Sequence, residues 1–422
     1  MEQSQKINYE DWNFYLKYRL VINLIVLSFF LFLHCFFGFM IYVIFALLLL
    51  LIVFDSLQNA ITYLVFYYPF CMLDISINEI LLGVLIGAFL IKYVIKTYFV
   101  EKSKPDWLLL TLIVIFFIYC LLPIGPYSVN TFSRLVSFIG VFLALSIAMK
   151  NPDMIRFKYN VKMIAIALVV ASLFALTYYF SPFLSEYLSL HAGRFKALFS
   201  QPDTLAAFCV VICSIFVYYI ISEKASTMEV ILFVALTIIG LFTFGKTFLL
   251  LMLIEYLAIF FYGLQKDWKK TLLIAGILAL LAVIVGLIGH NLVEKYFNRF
   301  LNGEHQFDNF EDFLNVITTY RYELWALYVT DLVNNPLTLF FGAGIGTGPI
   351  GPRQLGAHNM YISMIYQLGI VGSIMFIGIL VYMLCKMKQK SKTKINHAIV
   401  VPILVCGALF FVEDIIFYMN VI

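Results

Sequence analysis

DTLAAFCVVICSIFVYYII at 203–221, MEVILFVALTIIGLF at 228–242 and KTFLLLMLIEYLAIFFY at 246–262 follow one another with only SEKAST and TFG between them. Each run is continuously apolar rather than alternating, which excludes the strands of a membrane β-barrel. About 20 apolar residues cross the hydrocarbon core as a helix. In that solvent only a helix satisfies its own backbone. These three runs therefore predict three membrane helices joined by tight turns.

The same pattern extends in both directions. Of 422 residues, 63% are hydrophobic and 12% charged, about half the charge that a soluble domain carries. The expected fold is an all-α, polytopic transmembrane bundle. Its candidate spans are 20–36, 38–54, 61–73, 79–97, 107–122, 131–149, 161–180, 203–221, 228–242, 246–262, 271–289, 360–384 and 397–417. That makes thirteen spans, or twelve if the short Pro69-containing segment 61–73 is re-entrant. Residues 1–289 and 360–422 form the two parts of the bundle, and 290–359 form one large external loop. The N-terminus carries Glu2, Glu10 and Asp11 and no small-residue cleavage site, so the first run is kept as a helix. The seven cysteines all lie inside apolar runs and read as packing residues rather than as a disulfide framework.

Charge sets the orientation. With the N-terminus in the cytoplasm, alternation of the spans sends most of the basic residues inside, where all but Arg19 and Arg156 are Lys. The outside receives Arg134, Arg194, Lys196, Lys246, Lys295, Arg299, Arg321 and Arg353. Inner lysines need only meet an anionic leaflet, whereas arginine offers a planar fork for phosphate. Arginines gathered at outer helix ends point to an anionic ligand there, although any single one reads equally as a snorkelling anchor.

The external loop holds helical periodicity at Phe307, Phe310, Phe313, Leu314 and Ile317. From Tyr320 to Asn334, Leu324, Leu327, Tyr328 and Leu332 are expected on one face, with Pro336 following. Gly342, Gly344, Gly346 and Gly348 then permit a bend that brings backbone close to a neighbour. No strand precedes them, which rules out a dinucleotide loop. His358 comes next, at the N-terminus of span 360–384. The positive end of that helix disfavours imidazolium, and a neutral imidazole is a competent general base. Packed histidine is the bland alternative. Two further outer sites stand out. One is the stretch 193–203, with Arg194, Lys196 and a helix start at Pro202-Asp203. The other is the turn 243–247, whose Lys246 is a charge between two membrane runs. Glu413 and Asp414 close the last run and could partner a cation or orient a histidine.

Four segments in this order resemble the bacterial O-antigen polymerase and O-antigen ligase family. They are Gly193-Arg194-x-x-x-x-Phe199-x-x-Pro202; Thr243-x-x-Lys246; Arg321-x-x-x-Trp325 with Asn335-Pro336 and Gly342-x-Gly344-x-Gly346; and His358-Asn359-x-Tyr361 with Gln367-x-Gly369-x-x-Gly372. The resemblance covers residues from about 131 to the end. It implies a GT-C-like helical architecture that joins glycan units carried on undecaprenyl diphosphate, with no metal, cofactor or nucleic acid. By that resemblance His358 is the base, while Arg194, Lys246 and Arg321 bind diphosphate. Lys196, Asn359, Glu413 and Asp414 support them. Lys246 replaces a family arginine and loses its bidentate grip. The implied partners are a lipid-linked oligosaccharide donor and acceptor, the bilayer, a flippase and a chain-length regulator. The polymerase activity is favoured over the ligase activity, since the stretch GAHNMY carries none of the extra acids or histidines expected of ligases. A transporter is the reading of another class, and it predicts broken helices and charges in mid-membrane.

Overall fold

The structure is a computed structural model. It describes residues 9–34, 37, 39–73, 75–121, 142, 157–179, 190–191, 194–199, 201–222, 224–288, 294, 310, 321–345, 357–390, 405 and 407–408. The helices are α1 (Tyr9–His34), α2 (Met40–Phe54), α3 (Leu57–Tyr67), α4 (Ile75–Val94), α5 (Trp107–Leu121), α6 (Phe157–Tyr179), α7 (Pro202–Ile221), α8 (Thr227–Leu241), α9 (Lys246–Ile288), α10 (Arg321–Asn334), α11 (Pro336–Phe341) and α12 (Met360–Lys390). Among the described residues the strands are β1 (Leu190–His191) and β2 (Arg194–Phe195), paired antiparallel. Among the described residues, five helices are long and apolar enough to cross a membrane: Gly83–Val100, Phe157–Leu176, Pro202–Ile221, Lys246–Lys269 and Met360–Lys386. Tyr18–His34, Met40–Phe54, Trp107–Leu121 and Thr227–Leu241 are shorter apolar helices. The expected span 131–149, apart from Phe142, lies outside the described residues. So do most of 397–417 and the periodic segment around 307–317.

The chain forms two compact units, Met1–Lys104 with Asp153–Leu188, and Pro105–Pro152 with Ser189–Ile422. In the first, α2 buries Ile41, Ile44, Leu48 and Ile52 on one face and leaves Leu50 and Phe54 exposed. Apolar residues outside as well as inside are what a lipid-solvated helix needs. The segment expected at 61–73 starts earlier. Ser56 caps α3 by accepting from Asn59 N, and the part containing Pro69 is a 3₁₀ turn over Tyr68–Leu73. The proline cannot donate to an α-helical ladder, so the tighter turn takes over. At the junction of α2 and α3, the buried carboxylate of Asp55 accepts from Ser56 N (2.7 Å), Asn59 Nδ2 (3.1 Å) and Tyr63 OH (2.8 Å). Arg19 Nε lies 3.9 Å away with a half-exposed side chain. It adds less than the hydrogen bonds, each worth roughly 1 kcal/mol. Lys92 of α4 donates to Ile52 O (2.7 Å) and Val53 O (2.9 Å), and so caps the carboxyl end of α2.

In the second unit α7, α8 and α9 pack together, as do α5 with α12 and α10 with α11 and α12. Pro202 stands in the first turn of α7 after an extended Gln201, the conformation that a following proline favours. Ser226 and Glu229 form a capping box on α8. The runs expected at 246–262 and 271–289 are two helical stretches of α9 that meet at Asp267, whose φ −152 and ψ 89 are not helical. Phe116 of α5 meets Phe142 edge-on (5.7 Å) and Phe376 of α12 (5.9 Å) at the centre of one core.

The span expected at 360–384 is not a single helix. Gly369 breaks it with φ 67 and ψ 177. The carbonyls that the break releases are met by neighbours. Ala343 N donates to Tyr366 O (2.8 Å) and Gly344 N to Gln367 O (3.1 Å). Tyr119 OH on α5 contacts both Leu368 O (2.7 Å) and Phe341 O (2.8 Å). Gly342, at φ 83 and ψ 158, abuts Gly369 so closely that a Cβ on either would overlap the other strand of backbone. Both torsion pairs lie where essentially only glycine goes. The bend expected of the glycine-rich stretch is therefore present, and what it approaches is the broken helix.

Candidate functional site

The β1–β2 pairing sets Arg194 against the turn after α8. Phe195 N donates to Phe242 O (3.0 Å) and Arg194 Nε to Thr243 O (2.7 Å). The rest of the fork goes to Asp203 in the first turn of α7, with Nη1 to Oδ2 at 3.1 Å and Nη2 to Oδ1. Three of the five guanidinium donors are thus committed. Asp203, expected as part of a helix cap, is instead the counterion of Arg194, while Gln201 holds the cap position without a side-chain bond. The Arg194 side chain is 8% exposed and that of Asp203 32%. This clamp joins two segments that the sequence only suggested separately, since Lys246 opens α9 three residues after Thr243. Lys196 lies in the turn closed by Phe199 N to Lys196 O (3.0 Å). Ala197 and Phe244, in the two joined turns, both take left-handed backbone, φ 48 and φ 51. Such torsions cost non-glycine residues and recur at functional sites.

His358 belongs to a second construction. Trp325 on α10 donates from Nε1 to Ala357 O (2.8 Å). Asn359 Oδ1 accepts from Tyr361 N (3.0 Å) and Ile362 N (3.1 Å). Asn359, expected to support chemistry, therefore has a clear local role as the N-cap of α12. His358 is held between these anchors, half-buried and left-handed at φ 48. Arg321 opens α10 one turn before Trp325, on the same face. Tyr328 and Leu332 of α10 are buried, with Tyr328 edge-on to Tyr366 (4.8 Å) and Tyr366 OH bonded to Asp331 Oδ2 (2.7 Å). Leu327, expected on one apolar face with these residues, is exposed. It lies at the edge of the apolar stripe, where α10 has no neighbour to cover it among the described residues. Glu413 and Asp414 lie outside the described residues.

The structure thus unites the segments of Arg194, Lys196 and Lys246 on α7–α9, and those of Arg321, His358 and Asn359 on α10–α12. Both groups are in the second unit. One acid was missed in the sequence. Glu255 in α9 is fully buried with no hydrogen-bond partner at either oxygen. The single acid inside the run 246–262 was the signal, and it stands apart from the cations expected at the outer helix ends. Among the described residues, no three His, Cys, Asp or Glu side chains are placed to hold a metal ion.

Fold and site together define a predominantly helical protein with membrane-length helices and two polar constructions at helix ends. Comparisons with family models, with curated proteins and with solved structures return no match.

Proposed function

We propose that this protein is a membrane glycosyltransferase that extends undecaprenyl-diphosphate-linked oligosaccharides on the external face of the cytoplasmic membrane, with a GT-C-like bundle of twelve or thirteen spans and the segment 290–359 outside. The observation that carries the proposal is the union of the Arg194 and Lys246 turns, because the four-segment resemblance places diphosphate binding at these two residues. Alternation of the spans agrees with the polar bonds between helices. Arg194 meets Thr243, Tyr382 OH meets Asp106 (3.1 Å), and Lys92 meets Val53. Each pair joins ends assigned to one side.

In this reading the donor already carries its leaving group. His358 takes the proton of an acceptor hydroxyl. The hydroxyl oxygen bonds to the anomeric carbon as the bond to diphosphate breaks, and configuration inverts. Lys246, Arg321 and the uncommitted N–H groups of Arg194 stabilise charge developing on the diphosphate. A diphosphate competes with Asp203 for the arginine fork, since phosphate suits the same bidentate geometry.

Purified protein incubated with a defined undecaprenyl-diphosphate oligosaccharide tests this directly. A ladder of longer lipid-linked glycans is expected. A single transfer to a different lipid acceptor would replace the polymerase with a ligase, and no new glycosidic bond would overturn both. The second reading, a transporter of lipid-linked glycan, is favoured by the break in α12 at Gly369 and by Glu255 within an apolar helix. Movement of the substrate across proteoliposomes without glycan growth would select it.

A further inference from the structure

Two carboxyl groups are fully buried in the α7–α9 triplet, and their surroundings differ. Glu229 is engaged, since its Oε2 accepts from Ser226 N at 2.7 Å and closes the capping box of α8. Glu255 is not. Neither of its oxygens has a hydrogen-bond partner, and among the described residues no basic side chain acts on it. At 1.5 Å per residue, Glu255 is about 14 Å along α9 from Lys246 and about 18 Å from the kink at Asp267. That is close to the middle of a hydrocarbon core roughly 30 Å thick.

Among the described residues, the titratable groups near enough to Glu255 to feel its charge are the Cys213 thiol on α7 and the Tyr256 phenol, its neighbour on α9. On α8, Thr237 lies beside them. Their polar hydrogens are directed elsewhere. Cys213 Sγ points to Phe233 O (3.8 Å), Tyr256 OH to Thr237 Oγ1 (3.2 Å), and Thr237 Oγ1 to Phe233 O (2.9 Å). An ionised carboxylate here would lack both donors and a counter-charge, the costliest state for a buried acid. A neutral acid with unmade hydrogen bonds costs less than that, though more than an apolar side chain. The neutral form is therefore the one that this packing accepts. A leucine would carry neither cost, so the acid is kept for something other than packing.

We propose that Glu255 is a proton-binding site at the centre of the α7–α9 triplet, a carboxylic acid held neutral between three helices whose ends carry the Arg194 clamp. The ligand is a proton rather than a metal cation, because the facing groups supply one thiol and hydroxyls already engaged, too few oxygens to replace a hydration shell. This proposal goes beyond glycosyl transfer and holds equally for a transporter.

Infrared spectroscopy of the full-length protein in lipid at neutral pH provides the test. A protonated-carboxyl C=O band is expected in the unaltered protein, lost in Glu255→Gln and retained in Glu229→Gln. An unchanged spectrum in Glu255→Gln would overturn the proposal. Should Glu255→Gln fail to fold, the unaltered protein is treated with dicyclohexylcarbodiimide and mapped by mass spectrometry. This reagent takes the acid's proton on nitrogen and its oxygen on the central carbon, so only a protonated acid reacts. An adduct at Glu255 at neutral pH, where an exposed glutamate is ionised, supports the site. No adduct at Glu255 in the folded protein, or protection by sodium or potassium at constant pH, would overturn it.

Discussion

Two constructions in the second unit join helices by opposite means. The Arg194 clamp ties α7 to the α8–α9 turn with charge: a buried guanidinium, one carboxylate and one carbonyl. The Gly342–Gly369 interlock ties α11 to the broken α12 with no charge, through backbone N–H groups, one phenol and the absence of two Cβ atoms. The difference lies in what each leaves for chemistry. The clamp keeps a cation at hand and neutralises it with Asp203. The interlock is saturated, so its part is to fix the half-helix 360–368 that begins beside His358.

The largest expected effect is on the interlock. Gly369→Ala puts a Cβ into Phe340 O and Gly342 N at a torsion pair that only glycine occupies. A loss of about 3 kcal/mol or more is expected, read as a large fall in the Tm of the detergent-solubilised protein. An unchanged Tm would mean that the close approach is not part of the folded state. Next comes the clamp. Asp203→Asn leaves a buried arginine without its counter-charge. Asp203 is a third exposed, so the 3–5 kcal/mol of a fully buried pair shrinks to about 1–3 kcal/mol. Thermal unfolding in low and high salt separates the clamp from a merely steric contact, because high salt should narrow the gap to the unaltered protein. Tyr119→Phe removes a side-chain donor from the break in α12 and should cost about 1–2 kcal/mol. Amide exchange should then rise near 366–369 and stay unchanged in α7–α9. Smallest is Asn359→Ala, a lost N-cap worth about 1 kcal/mol. A much larger loss of activity than of stability in that variant would show that Asn359 does more than cap.

The apolar runs, the start of α7 at Pro202 and the turn at 243–247 were legible because local sequence fixes them. What decides the break at Gly369 is not local. An isolated glycine in an apolar helix is ordinary until another chain segment arrives with N–H groups for the freed carbonyls, and that segment is Gly342 to Gly344. Asp203 read as a cap for the same reason, since its partner Arg194 reaches it only through the β1–β2 turn. Leu327 belongs to the apolar face of α10 and stays exposed, because apolar periodicity marks a buried face only where the solvent is water. Glu255 was legible as a lone acid in the run 246–262, but its lack of partners needed three helices in place.

The central claim, that the imidazole of His358 accepts the proton of an acceptor hydroxyl, is tested most directly by His358→Asn. Asparagine tolerates the left-handed backbone found there, so folding should persist while the base is lost. Glycan ladders from a defined undecaprenyl-diphosphate oligosaccharide are expected to vanish in this variant at an unchanged Tm. Ladders of ordinary length from the folded His358→Asn protein would contradict the claim.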